Sequence, residues 1–172
     1  MHCSFLLIRN MDTFMHLPEG GLIFFMNSDH NQGNAAQTGE SARRPVSYYE
    51  LMGGAPTIRA IVEAFYPKVI EHPLLAPLFP EDITPVMEKQ EMFLTQYFGG
   101  PQLYTMKEGH PRMRARHIRF PITPDRATAW LSCMQQAMDE VVEDSALREQ
   151  MMERLAMTAY FFVNTDEQED DM

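Results

Sequence analysis

Residues 84–101 read TPVMEKQEMFLTQYFGGP, and this stretch decides the fold class. Thr84 carries a hydroxyl able to accept from the free N–H groups of a first helical turn, and Pro85 brings the fixed φ suited to the first helical position. Val86, Met87, Gln90, Phe93, Leu94 and Tyr97 then recur at steps of three and four, so they share one face of a helix. Gly99-Gly100-Pro101 stops it, because glycine tolerates the left-handed exit conformation and proline cannot continue the ladder. The spacing predicts a helix capped by Thr84 and running through Phe98, with one amide, Gln90, on an apolar inner face.

The same grammar extends in both directions. Gly53-Gly54 reads as a turn before a long helix that begins with Pro56 at its first position and turns Ile58, Ile61, Val62, Phe65, Val69 and Ile70 inward. Pro67 lies inside that helix and predicts a kink near residue 63. His72 to Pro80 is too rich in proline for a regular helix and reads as a tight connection. Downstream come a loop holding Tyr104 and Gly109 and a short helical piece from Pro111 to about Arg116. Thr123-Pro124-Asp125 is a second cap, first-position and acidic-turn signal, opening a helix with Ala127, Trp130, Leu131, Met134, Ala137, Met138, Val141 and Val142 inward. Ser145 is the expected cap of the last helix, with Leu147, Met151, Leu155, Ala159, Phe162 and Val163 on its stripe. No run of four to eight residues alternates with period two between turn signals, so the class is all-α.

Length and charge narrow the function classes. The 172 residues suit one domain with a usable core. Fourteen basic against 24 acidic side chains give a net charge of −10, which argues against binding nucleic acid or an anionic membrane surface. Two cysteines, Cys3 and Cys133, make neither a metal pair nor a disulfide framework, and a reducing, cytoplasmic location fits them. No stretch approaches the roughly 18 consecutive apolar residues of a membrane span. Residues 1–46 carry two short apolar bursts and a polar run without the basic start and small-residue cleavage pattern of a secretory signal. They read as a disordered or mis-started extension, Met11, Met15 and Met26 being internal start candidates. Residues 165–172 form an acidic tail whose five carboxylates carry half the net charge.

Two features could carry chemistry. Arg112, Arg114, Arg116 and Arg119 crowd around His117, where guanidinium groups could hold an anion. Composition alone reads the same run as a solvated basic turn pairing with acids elsewhere, and His117 alone as an ordinary polar residue, because no second histidine lies one helical turn away. The other feature is the set of polar-tipped residues on apolar stripes: Tyr66, Gln90 and Trp130, the chain's one tryptophan. Buried phenol, amide and indole groups need partners, so their convergence would suggest an apolar cavity with a few donors; each alone is an ordinary core residue with its tip at the surface. There is no phosphate loop or nucleophile motif, and Cys133, in mid-helix, reads as a packing residue.

Taken in order, these residues resemble the group II truncated hemoglobins, globins with a two-over-two helical sandwich around haem b. The resemblance spans residues 47–164. It rests on Tyr49-Glu50-Leu51-Met52-Gly53-Gly54, Ala64-Phe65-Tyr66, Leu75-Ala76-Pro77-Leu78-Phe79-Pro80, the run from Lys89 to Pro101, Leu103-Tyr104, Gly109-His110-Pro111, Arg114-Ala115-Arg116-His117, Phe120-Pro121-Ile122 and Ala129-Trp130-Leu131. It implies that His117 is the proximal ligand of a five-coordinate iron, leaving the sixth position for O2 or another diatomic ligand. Tyr66, Gln90 and Trp130 match the distal positions that donate to bound O2. Phe79, Val86, Lys89, Phe93, Tyr104 and Ile122 match haem-lining positions; Arg114, Arg116 or both are placed to meet the haem propionates, with Lys89 and Tyr104 as extra propionate contacts.

The function implied is oxygen binding or carriage, or protective chemistry of O2 with NO, with NO, CO and peroxide as further ligands and an unidentified reductase as a possible partner of a monomer or homodimer. Enzyme status stays open between simple binding and dioxygenase or peroxidase-like turnover. A haem-based sensor or interaction module is the alternative, against which stands the lack of anything resembling an output domain.

Overall fold

The computed structural model describes residues 45–166. Among these, seven α-helices and one short 3-10 turn form the structure, with no strand. The all-α expectation holds. The expected extension and acidic tail lie outside the described residues, apart from 45–46 and 165–166.

Helix α1 (Tyr48–Leu51) is a single turn held by a capping box between Ser47 and Glu50. Gly53 and Gly54 follow with φ of +100° and +78°, a reversal that a side chain would strain. Helix α2 (Ala55–Glu71) starts one residue before the expected point, with Pro56 second. It buries Ile58, Ile61, Val62, Phe65, Tyr66 and Val69. Ile70, expected inward, is exposed, because one further residue turns it about 100° away from Val69. The helix continues through Pro67, whose ring lies on the exposed side, where water can satisfy the Glu63 carbonyl that proline leaves without a donor.

After a 3-10 turn at Ala76–Leu78, helix α3 (Thr84–Tyr97) delivers the inner face read from the sequence. Its start differs from expectation. Thr84 is already helical, and the Asp82 carboxylate accepts from the Thr84 N–H at 3.0 Å, doing the capping from two residues upstream. At the other end a Cβ on Gly100 would sit 2.8 Å from the Tyr49 ring, so a larger residue would push α1 off the end of α3.

The expected loop around Tyr104 is instead helix α4 (Leu103–Glu108). Gln96 on α3 accepts from the Thr105 N–H at 3.0 Å and donates to its hydroxyl at 2.8 Å, filling one of the orphan donors of the first turn from a neighbouring helix. Helix α5 (Met113–His117) follows Arg112, which has φ +39°. Helix α6 (Pro124–Val141) begins as read, with the Thr123 hydroxyl accepting from Arg126 N–H.

Helix α7 (Ser145–Phe161) is capped by Asp144, not Ser145. The Asp144 backbone is extended and its carboxylate accepts from the N–H groups of Ala146 and Leu147, both at 3.0 Å. Asp144→Ala should cost about 1 kcal/mol, a fall in Tm of about 4 °C; an unchanged thermal melt would show that the cap is idle.

The long helices form two packed pairs, α2 on α3 and α6 on α7, joined where α2 packs on α6. The core lies at that junction and includes Ile58, Phe65 and Val69 from α2, Met134 and Met138 from α6, and Met151 from α7, all fully buried. Unbranched thioethers fill the irregular gaps between crossing helices. Towards α5 this packing opens into a cavity.

Candidate functional site

The cavity measures about 260 Å³, and its wall is mainly apolar. Helix α2 contributes Tyr66, the connection to α3 contributes Phe79, and α3 contributes Val86, Gln90 and Phe93. His117 on α5, Ile122 in the following loop and Trp130 on α6 also line it. Eight of the residues singled out in the sequence therefore share one wall.

The donors on it are organised. Tyr66 is buried, and its hydroxyl donates to Gln90 Oε1 at 3.0 Å. Burial pushes the Tyr66 phenol well above its usual range, because a phenolate there would lose its water. Tyr66 is thus a neutral donor at any physiological pH. With its oxygen engaged, Gln90 keeps its amide N–H groups without a protein acceptor among the described residues, as does the Trp130 indole N–H. Edge contacts fix the rings: Phe79 meets Tyr66 at 6.0 Å between centroids, and Phe65 meets Trp130 at 5.2 Å.

His117 is set by its own helix. Its Nδ1 lies 2.7 Å from the Met113 carbonyl, an acceptor only, so Nδ1 carries the proton and Nε2 of the neutral ring holds a lone pair. Nε2 has no protein partner among the described residues. The ring stacks on Phe162, 4.6 Å between centroids and 12° from parallel. No group of three or more His, Cys, Asp or Glu that could cage a metal exists among the described residues. This wall offers an ion one imidazole, so the remaining ligands would have to come from a group filling the cavity.

The four expected anion contacts stand off the cavity wall. Arg116 donates through Nε to the Pro111 carbonyl and through Nη2 to the Glu108 carbonyl, both at 2.8 Å, and lies over the Tyr104 ring. Lys89 pairs with Glu108 at 3.7 Å. Tyr104 is buried, which raises its pKa, while Arg116 nearby lowers it and Glu108 raises it. Lys89, Tyr104 and Arg116 thus cluster around Glu108. Arg114 is apart from them, donating to the Phe161 carbonyl at 2.9 Å with its guanidinium over the Phe161 ring.

Sequence reading missed Arg126, Thr158 and the cavity role of Phe162, all on the wall. Arg126 had a signal, since it precedes Trp130 by four residues on the same helix face. The spacing puts Phe162 on the core stripe; it lies just past the end of α7, where the stripe runs out of core and reaches the cavity. Cys133 packs as expected, burial raising its thiol pKa against a smaller lowering by Lys68.

Comparison with known proteins places this architecture. The family model described as bacterial-like globin matches residues 47–164. Group 2 truncated hemoglobin YjbI of Bacillus subtilis is 50% identical over 132 residues, covering 77% of this chain and 97% of that protein. The crystal structure of the group II truncated hemoglobin from Bacillus anthracis superposes with a TM-score of 0.71 at 50% identity, covering 76% of this chain and all of that one. A Bacillus subtilis structure described as a truncated oxygen-avid haemoglobin gives 0.66 at 50% identity, covering 69% of this chain and all of that one. With two packed helix pairs, a cavity beside a lone histidine and near-complete coverage of these relatives, the chain belongs to the bacterial-like globins, as a group II truncated hemoglobin of the two-over-two fold.

Proposed function

We propose that this chain holds haem b through His117 and binds O2 tightly at the open face of the iron, in a role closer to protective O2 and NO chemistry than to bulk carriage. The observation that carries the reading is the pairing, on one cavity wall, of an imidazole whose Nε2 lone pair is free with three polar groups, Tyr66, Gln90 and Trp130. The residues fit the group: an apolar slot for a macrocycle, a single nitrogen ligand, and cationic or phenolic groups beyond the wall. When bound, haem supplies the iron that takes the diatomic ligand.

The chain's own part is positional. Met113 fixes the His117 tautomer and strengthens Nε2 as a base. Phe79, Val86, Phe93 and Ile122 exclude water from the slot, which strengthens every polar contact inside it. Lys89, Tyr104 and Arg116 would meet one propionate near Glu108, and Arg114 stands where α5 meets α7. Tyr66 holds the Gln90 oxygen, turning that side chain into a donor. Amide and indole N–H groups donating to a partly negative bound oxygen slow its escape, and slow escape suits reaction at the site better than delivery. Val86 adds no hydrogen bond and narrows the entrance.

The test is stopped-flow mixing of the oxygenated, haem-loaded chain with NO, followed through a second turnover with a cellular reductant. Rapid nitrate formation with re-reduction is the expected result. A rapid first turnover that stops there would reduce the function to binding, and the absence of a Soret band from the purified chain would remove the haem reading altogether.

A further inference from the structure

We propose that Asn164 is a positioning residue for His117, a clasp at the end of the last helix that fixes the segment His117–Ile122 and so the direction of the imidazole. The inference rests on the reading of His117 as the haem ligand and adds a residue to it.

Helix α5 has five residues, too few to be stable on its own, so its orientation must be imposed from outside. Its C-terminal carbonyls also have no intrahelical N–H donors and need donors from elsewhere. The His117 carbonyl takes one from the Phe120 N–H at 3.0 Å, and a second comes from Asn164. Its Nδ2 donates to the His117 carbonyl at 3.2 Å and to the Phe120 carbonyl at 3.0 Å, while its Oδ1 accepts from the Ile122 N–H at 3.1 Å. The Asn164 backbone N–H adds a bond to the Ile122 carbonyl at 3.0 Å. An amide is the one short side chain with two donors and an acceptor on the same planar head, which is the complement of this stretch of backbone.

The clasp does not act alone. Phe161 offers its carbonyl to Arg114, Phe162 lies flat against the His117 ring, and Asn164 ties the loop that follows. Residues 161–164 therefore bound the short helix at its start, at its ligand and beyond its end. Asn164 is itself exposed, so substituting it opens no hole in the core.

Three variants test this. In haem-free protein, Asn164→Ala should speed hydrogen exchange at the Ile122 amide. In the loaded ferrous form it should shift and broaden the iron–histidine stretching band and raise haem loss about tenfold, the scale of lost support behind a metal ligand. Asn164→Asp keeps the acceptor but has no donors, so it should move the band in the same way, and it carries the test if the alanine variant fails to fold. Thr165→Ala, which loses only a hydroxyl bonded to Asn164 Oδ1, should leave the band in place. Faster Ile122 exchange with an unmoved band would make the clasp structural only and overturn the proposal. An aspartate variant with the native band would do the same for the two donors. A native chain without any histidine band would instead overturn the ligand reading on which the proposal rests.

Discussion

His117→Ala should abolish stable haem retention while leaving the helical fold in place. The cavity wall has no second nitrogen ligand among the described residues, and Tyr66 is held as a neutral phenol bonded to Gln90. Met113 offers only a weak thioether one turn earlier on the same short helix. The substitution removes a half-buried ring lying between Phe162 and the cavity, outside the core built by α2, α6 and α7. The stability loss is therefore confined to the stack on Phe162, an edge contact with Phe120 and one hydrogen bond, about 1–2 kcal/mol. The measurement is the Soret spectrum together with haem transfer to an apoglobin trap. Free imidazole should partly restore the band by filling the space against Phe162. Native spectra and slow transfer in the variant would dismiss His117 as the ligand.

Tyr66→Phe should accelerate O2 dissociation about 10- to 100-fold, the rate equivalent of losing the hydrogen bond that an oriented Gln90 amide gives to a partly charged oxygen. The phenol has one proton, and here that proton is given to Gln90 Oε1. Tyr66 therefore acts through Gln90, and the pair should be coupled. In a cycle with Tyr66→Phe and Gln90→Leu the double variant should release O2 little faster than the faster single variant, because both changes undo one arrangement. Trp130→Phe removes a separate N–H, and its effect should add to theirs. Fully additive effects of Tyr66 and Gln90 would mean that the phenol donates to the ligand directly.

Neither effect depends on net charge. Half of the −10 belongs to the acidic tail, while the charges that matter at the site are a handful of cations around α5. Their partners explain why the sequence alone could not settle their role. Arg114 finds a carbonyl 47 positions away and Arg116 one only eight away. Nothing in the spelling of the basic run distinguishes the two.

Other differences have the same origin. Asp144 and Ser145 are both good caps, and the choice fell to the residue with the extended backbone. Helix α4 went unread because its first turn is completed by Gln96 on another helix. The start of helix α6 is legible to the residue because Thr123, Pro124 and the Arg126 N–H lie within one turn, while Val142, expected on its inner face, is already the extended residue that ends it.

The sequence by itself determined the all-α class, the long helices and most of their inner faces, because caps, proline positions and three-to-four spacing act over a single helical turn. Through family resemblance it also named His117, Tyr66, Gln90 and Trp130. Only the tertiary structure decided that Tyr66 donates to Gln90, that His117 leaves Nε2 free, and that Asn164 closes over the segment behind it. Those contacts depend on how helices cross and where a chain end returns, and a bond between groups 24 or 47 positions apart leaves no period in the sequence to read.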